Sequence, residues 1–215
     1  MTMKRKYYIW LAVLALAGIV TYATVRTATW YHNFPAHHFD VVAKGTLIRC
    51  GQPDNDALGY IKNHYGIKTV VNLRGAKPQE QWYQQEKDYC ARNGLELVDI
   101  DIAAPGEARV GLRRFLEIMS DKNSLPVLVH CEAGSVRTGL ASGAYRIVFQ
   151  HWSYDDAVVD AERFRYDPAE ADRIPYNQIL QELAKNPNVW RNWTEPATTR
   201  GNTTSQASGP ASKRS

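Results

Sequence analysis

Cysteine is scarce: Cys50, Cys90 and Cys131 are the three in 215 residues. So small and odd a number does not suit a disulfide scaffold, and it leaves at least one free thiol. A Cys50–Cys90 disulfide stays open beside the plainer reading of both as packing residues. A basic body is missing as well, despite a formal net charge of +4. Of the 26 Lys and Arg residues, seven (Lys4, Arg5, Lys6, Arg26, Arg200, Lys213, Arg214) lie at the two ends; the other 19 face 22 acidic residues, so the middle carries about −3. That balance argues against nucleic acid as a partner. His32, His37 and His38 lack the accompanying carboxylate or cysteine spacing of a metal centre and read as linker histidines. Neither a metal nor another cofactor is expected.

Charge is absent from Tyr7 to Val25, and so is any polar face. At about 1.5 Å per residue this run just spans a bilayer core, which excludes an ordinary core helix. Lys4-Arg5-Lys6 ahead of it predict an amino end in the cytoplasm, with the remainder crossing outward. Residues 1–26 are therefore expected to form an uncleaved membrane anchor. The alternative is a cleaved secretory signal, for which Thr21-Tyr22-Ala23 offers a small-x-small site. Either way the body would lie outside the cytoplasm, on the periplasmic side if the source is bacterial. Apolar periodicity also fades near the other end. Residues 191–215 are rich in Thr, Ser, Asn, Gly and Pro, and a disordered tail is expected there.

Between these ends the composition, with 44% hydrophobic residues, suits one domain, placed at 46–190 after a mixed linker over 27–45 that holds Trp30, Tyr31 and Phe34. Strand-like runs begin at Thr46, Ile67, Leu95 and Val127. Helical stretches are expected over 56–65, 78–92, 110–119, 140–150, 153–164 and 175–185. Alternating strands and helices predict an α/β fold with a mostly parallel central sheet flanked by helices.

The chain is organised around His130-Cys131-Glu132-Ala133-Gly134-Ser135-Val136-Arg137-Thr138-Gly139. The run follows the apolar Val127-Leu128-Val129 and precedes a helix, so backbone N–H groups of the loop can face an anion. A cysteine at the foot of such a loop lies near the positive end of the helix dipole, which favours the nucleophilic thiolate. Arg137 offers a planar fork for two phosphate oxygens. Gly134 permits the sharp turn. The candidate nucleophile is thus Cys131. The candidate phosphate ligands are the amides of Glu132, Ala133, Gly134, Ser135 and Val136 together with Arg137. His130 and Thr138 support them, Thr138 by placing a hydroxyl near the sulfur.

His-Cys-x5-Arg-Thr-Gly resembles the signature of the cysteine-dependent protein tyrosine and dual-specificity phosphatases. Arg49-Cys50-Gly51-Gln52-Pro53 and Val70-Val71-Asn72-Leu73-Arg74 are similar to segments of a bacterial branch related to the plant and fungal atypical dual-specificity enzymes. The resemblance implies a dual-specificity-phosphatase-like single domain and phosphoryl transfer to Cys131, then hydrolysis of the phosphocysteine, with no metal. It also implies an Asp upstream of the cysteine as general acid. No Trp-Pro-Asp is present, so the choice falls on Asp101, with Asp99 and Glu107 as alternatives. Alternation with Ile100 and Ile102 would let both aspartates face solvent. The loop holds Glu132 and no lysine, which fits tensin-type phosphoinositide enzymes less well. A phosphorylated protein is the expected substrate and partner. Inositol phosphates, phosphoinositides or phospholipid head groups are the alternative, and a silent phosphate-binding module is the non-enzymatic one.

Overall fold

The structure, a computed structural model, describes residues 3–33, 35–102 and 105–194, without the side chains of 3–6, 26–33 and 105–106. Phe34, Ala103, Ala104 and residues 195–215 of the expected tail lie outside that description, as does the side chain of His32.

The first helix, α1 (Met3–Asn33), contains the one helix segment among the described residues that is long and apolar enough to cross a membrane, Tyr7–Val25. Five strands follow: β1 (Asp40–Ala43), β2 (Leu47–Cys50), β3 (Thr69–Asn72), β4 (Glu96–Asp99) and β5 (Val127–His130). They form one sheet in the order β1-β2-β5-β3-β4, in which only the β1–β2 pair is antiparallel. The remaining helices are α2 (Asn55–Tyr65), α3 (Gln81–Arg92), α4 (Pro105–Ser120), α5 (Val136–Gln150), α6 (Tyr154–Glu162) and α7 (Ile174–Lys185).

Every residue of β2, β3 and β5 is buried, as parallel strands covered on both faces require. Leu58 and Ile61 of α2 and Cys90 of α3 pack on one face against Ile48, Val70 and Leu128. Leu112 and Phe115 of α4, Leu140 and Ala144 of α5, and Ile179 and Leu183 of α7 cover the other with Leu47, Val71 and Val129. Local signals set the helix ends. Asp54 Oδ1 accepts from Ala57 N at 2.8 Å to start α2, and Gly66, in the left-handed region at φ +64°, ends it. Ser153 caps α6 by accepting from Asp156 N.

Three boundaries differ from the sequence expectation. β1 lies inside the supposed linker, since Asp40–Ala43 pairs with β2 and shields its outer edge. α4 begins at Pro105 rather than Val110, so Glu107 sits in its first turn instead of a loop; a proline suits that position because it needs no N–H there. The body also continues past 190 to Trp193. The carbonyl of Trp193 accepts from Arg113 Nη1 at 2.7 Å, and its indole N–H donates to Glu182. Two tryptophans, Trp190 and Trp193, are buried there within a polar-looking stretch. Cys50, Cys90 and Cys131 are all free and buried, so the open Cys50–Cys90 pairing is not made.

Candidate active site

β5 is the central strand, and its last residue, His130, is level with Cys50 of β2 and Asn72 of β3. The loop 131–135 therefore leaves the sheet between two neighbouring strand ends, the crevice where open α/β sheets place ligands. Cys131 sits at its foot, 3% exposed, and α5 begins five residues later.

The loop's carbonyls are held from outside. Gln52 N donates to Glu132 O at 2.8 Å, and His38 Nδ1 bonds Ala133 O at 2.8 Å. Arg49 Nη2 donates to Gly134 O at 2.5 Å. Three consecutive carbonyls turned toward the segment 38–52 leave the loop amides to the opposite side, where an anion would be held. Gly134 takes φ +72°, and a Cβ there would come within 2.5 Å of Gly51 N. Gly51 is nearly as crowded, with Glu132 O 2.9 Å from its would-be Cβ. This contact admits no side chain on either residue. Ser135 Oγ fastens the far end by donating to Arg165 O at 2.8 Å.

Arg137 is partly buried, and its Nη1 donates to Leu73 O at 3.3 Å, which ties the guanidinium to the end of β3. The Thr138 hydroxyl is buried and has no hydrogen-bond partner among the described residues. His130 lies beneath the loop with Nε2 2.9 Å from Glu86 Oε1, a close polar contact with both side chains shut off from solvent. Glu132 projects outward, 69% exposed, with Arg74 Nη2 3.6 Å away. Arg74 also donates to Gln52 Oε1 at 2.9 Å and stacks on Trp82, its Cζ 3.6 Å from the ring.

The two aspartates at the end of β4 are unlike each other. Asp99 is engaged on both oxygens, receiving Asn72 Nδ2 at 2.8 Å and the Tyr83 hydroxyl at 2.6 Å. It therefore does not simply face solvent, as alternation suggested. Burial, then the hydrogen bond to Asp99, pushes the Tyr83 hydroxyl up to about 12. Asp101 is exposed, bridges Arg74 through the backbone, and lies 3.7 Å from Lys77 Nζ. Asp101 thus keeps a partly exposed carboxylate, whereas that of Asp99 is held by Asn72 and Tyr83.

Sequence reasoning missed Glu86, Arg49 and His38. His38 is no mere linker histidine, because the left-handed turn at φ 52° aims its ring at the loop. An apolar-strand position for Arg49 was the one available signal for that residue; for Glu86, in a polar helix, the sequence held none.

Residues 19–174 match the family described as "DSP-PTPase phosphatase fused to NAD+ Kinase". Among curated proteins, the chain is 28% identical over 146 residues to OCA1 of Meyerozyma guilliermondii, whose name classes it with tyrosine-protein phosphatases; the match covers 63% of this chain and 75% of that one. It is 25% identical over 142 residues to inositol diphosphatase SIW14 of Saccharomyces cerevisiae, covering 64% of this chain and about half, 48%, of the relative. Among solved structures, the catalytic core of that yeast enzyme, complexed with citrate, aligns over 73% of this chain and 96% of the core, with a TM-score of 0.58 and 23% identity. PTPMT1 aligns over 70% of this chain and 96% of its own, with a TM-score of 0.57 and 16% identity. At such identities the structures speak for the fold alone.

Proposed function

The chain belongs to the DSP-PTPase phosphatases described as fused to NAD+ kinase, cysteine-dependent enzymes that hydrolyse phosphomonoesters without a metal, and we propose that Cys131 is its nucleophile and Arg137 its phosphate clamp. One observation carries the assignment: the carbonyls of Glu132, Ala133 and Gly134 are all taken by groups of the segment 38–52. Amides on the opposite side then suit the equatorial oxygens of a phosphoryl group.

Cys131 Sγ attacks phosphorus, the P–O bond to the leaving group breaks, and the departing oxygen takes a proton. A water then attacks the phosphocysteine, phosphate leaves with its oxygen, and the thiolate returns. Asp101 is the residue for both proton steps, as its carboxylate is exposed while Asp99 is spent on Asn72 and Tyr83. The buried Thr138 hydroxyl is a donor for the returning thiolate.

The substrate reading is a phosphorylated protein, in keeping with the name carried by OCA1. A second reading, an inositol phosphate or diphosphate, is favoured by Arg74 beside the loop and by the name of the yeast relative. Tyr7–Val25 reads as a single-pass anchor with the body outside the cytoplasm, supported by its hydropathy and by Lys4-Arg5-Lys6 ahead of it.

The test is p-nitrophenyl phosphate hydrolysis by the detergent-solubilised chain and its Cys131→Ser variant, with EDTA present. Turnover lost only in the variant supports the assignment; equal turnover in both removes Cys131 from the role. Rates on a phosphotyrosine peptide and on an inositol diphosphate then separate the two substrate readings.

A further inference from the structure

Arg49 is the bulkiest side chain entirely shut off from solvent. It stands in β2, between β1 and β5, and its guanidinium carbon lies 3.8 Å from the centre of the Phe164 ring. Nη2 donates to Gly134 O, while Nε and Nη1 have no hydrogen-bond partner among the described residues. Burial pulls Arg49 down to about 10, which still leaves it charged at neutral pH.

Asp160, Cys131 and Asp40 are groups near Arg49 that can carry a negative charge, and the two carboxylates among them are already engaged. Asp160 is taken by Arg146 Nε at 2.6 Å and by Arg163 Nη1 at 2.7 Å. Asp40 lies 3.9 Å from Arg163. Three guanidiniums thus share two carboxylates, and the one left over is the most deeply buried. A buried cation with a single neutral acceptor is strongly unfavourable, so something should repay it. The carbonyl it grips belongs to the loop that would hold a dianion on its other face.

We propose that Arg49 is a positioning residue of the phosphate site: it fixes Gly134 through its carbonyl, and the bound oxyanion on the other face of loop 131–137 completes its unmatched charge. The inference rests on the reading of that loop as the phosphate site. Of the groups that hold the loop's carbonyls from outside, Arg49 alone brings a full charge; Gln52 uses its backbone and His38 its imidazole. If Arg49 were only a packing residue, its replacement would lower the melting temperature and leave anion affinity unchanged.

The experiment measures tungstate affinity calorimetrically on the full chain carrying Cys131→Ser, alone and combined with Arg49→Lys or Arg49→Gln, far below the melting temperature of each. Lysine keeps the charge, whereas glutamine keeps a donor and loses it. We expect Arg49→Gln to weaken tungstate binding about tenfold or more and Arg49→Lys, which keeps the charge but loses the planar stack on Phe164, to fall between it and the parent. With Cys131 restored, kcat/KM for p-nitrophenyl phosphate should fall in the same order. Affinity for Arg49→Gln within about twofold of the parent overturns the proposal. Should Arg49→Gln not fold, Phe164→Leu, which removes the ring beneath the guanidinium, decides: weaker tungstate binding supports the role and unchanged binding overturns it. A Cys131→Ser parent that binds no tungstate, together with a native chain that turns nothing over, would instead sink the phosphate-site reading itself.

Discussion

Glu86 Oε1 lies 2.9 Å from His130 Nε2, and neither side chain reaches solvent. Glu86 also accepts from Gln52 Nε2 at 3.3 Å, and Gln52 Oε1 accepts from Arg74 at 2.9 Å. Arg74 in turn faces Glu132 at 3.6 Å. A line of polar contacts thus runs from beneath the cysteine, through α3, to the outer rim of the loop. Glu86 joins its buried and exposed ends.

Removing one partner of a buried polar contact leaves the other unsatisfied in a site closed to water. Glu86→Ala should therefore cost about 1–3 kcal/mol of stability. Glu86→Gln, which retains a hydrogen-bonding group, should cost less. Urea unfolding of both variants checks the order, and p-nitrophenyl phosphate turnover should fall with it because the loop's base moves.

Asp99 and Asp101 should respond oppositely. Asp101→Asn should slow alkyl phosphates more than p-nitrophenyl phosphate, whose leaving group needs little help from an acid. Asp99→Ala frees Asn72 and Tyr83, so it should lower the melting temperature and slow both substrates alike. Equal losses on both substrates for Asp101→Asn would remove it from the acid role.

Gly51→Ala forces a Cβ to 2.9 Å from Glu132 O, a backbone atom that cannot swing aside. Gly134→Ala adds strain at φ +72° to a 2.5 Å clash with Gly51 N. Each should destabilise by about 1–3 kcal/mol and cut turnover at least as severely as the Glu86 variants. Asp54→Ala, which removes the α2 cap, should cost about 1 kcal/mol.

Burial holds His38 below its ordinary 6.5, against the opposing pull of the Ala133 carbonyl. The unfolded chain therefore takes up this proton before the folded one. The contribution is complete above pH 6.5 and is lost as the pH falls below it. Unfolding free energy should drop between pH 7.5 and 5.5, and the drop should be shallower in His38→Gln.

The sequence made the ten-residue loop and the α/β class legible because both are local: a spacing, and an alternation of apolar runs with helical stretches. The caps Ser153 and Gly66 are local signals of the same kind. β1 was hidden because four residues, Asp40–Ala43, have too little alternation to stand out from a linker, and they become a strand only by pairing with β2. Trp190 and Trp193 were lost in a polar stretch whose burial depends on Arg113 and Glu182. Arg49, His38 and Glu86 act 44 to 95 positions away from the loop residues they meet, and no local pattern encodes such distances.

The outside holds on Glu132, Ala133 and Gly134, from Gln52, His38 and Arg49, mean that the ten residues are not a portable cassette. Grafted between a strand and a helix of another scaffold, the decapeptide would keep its cysteine and arginine but lose the residues that turn its peptide planes. A transplant would have to carry the stretch from His38 to Gln52 as well. Any trimming of the amino end for expression meets the same boundary: shortening up to residue 33 spares these contacts, whereas starting at Thr46 discards His38 together with the edge strand.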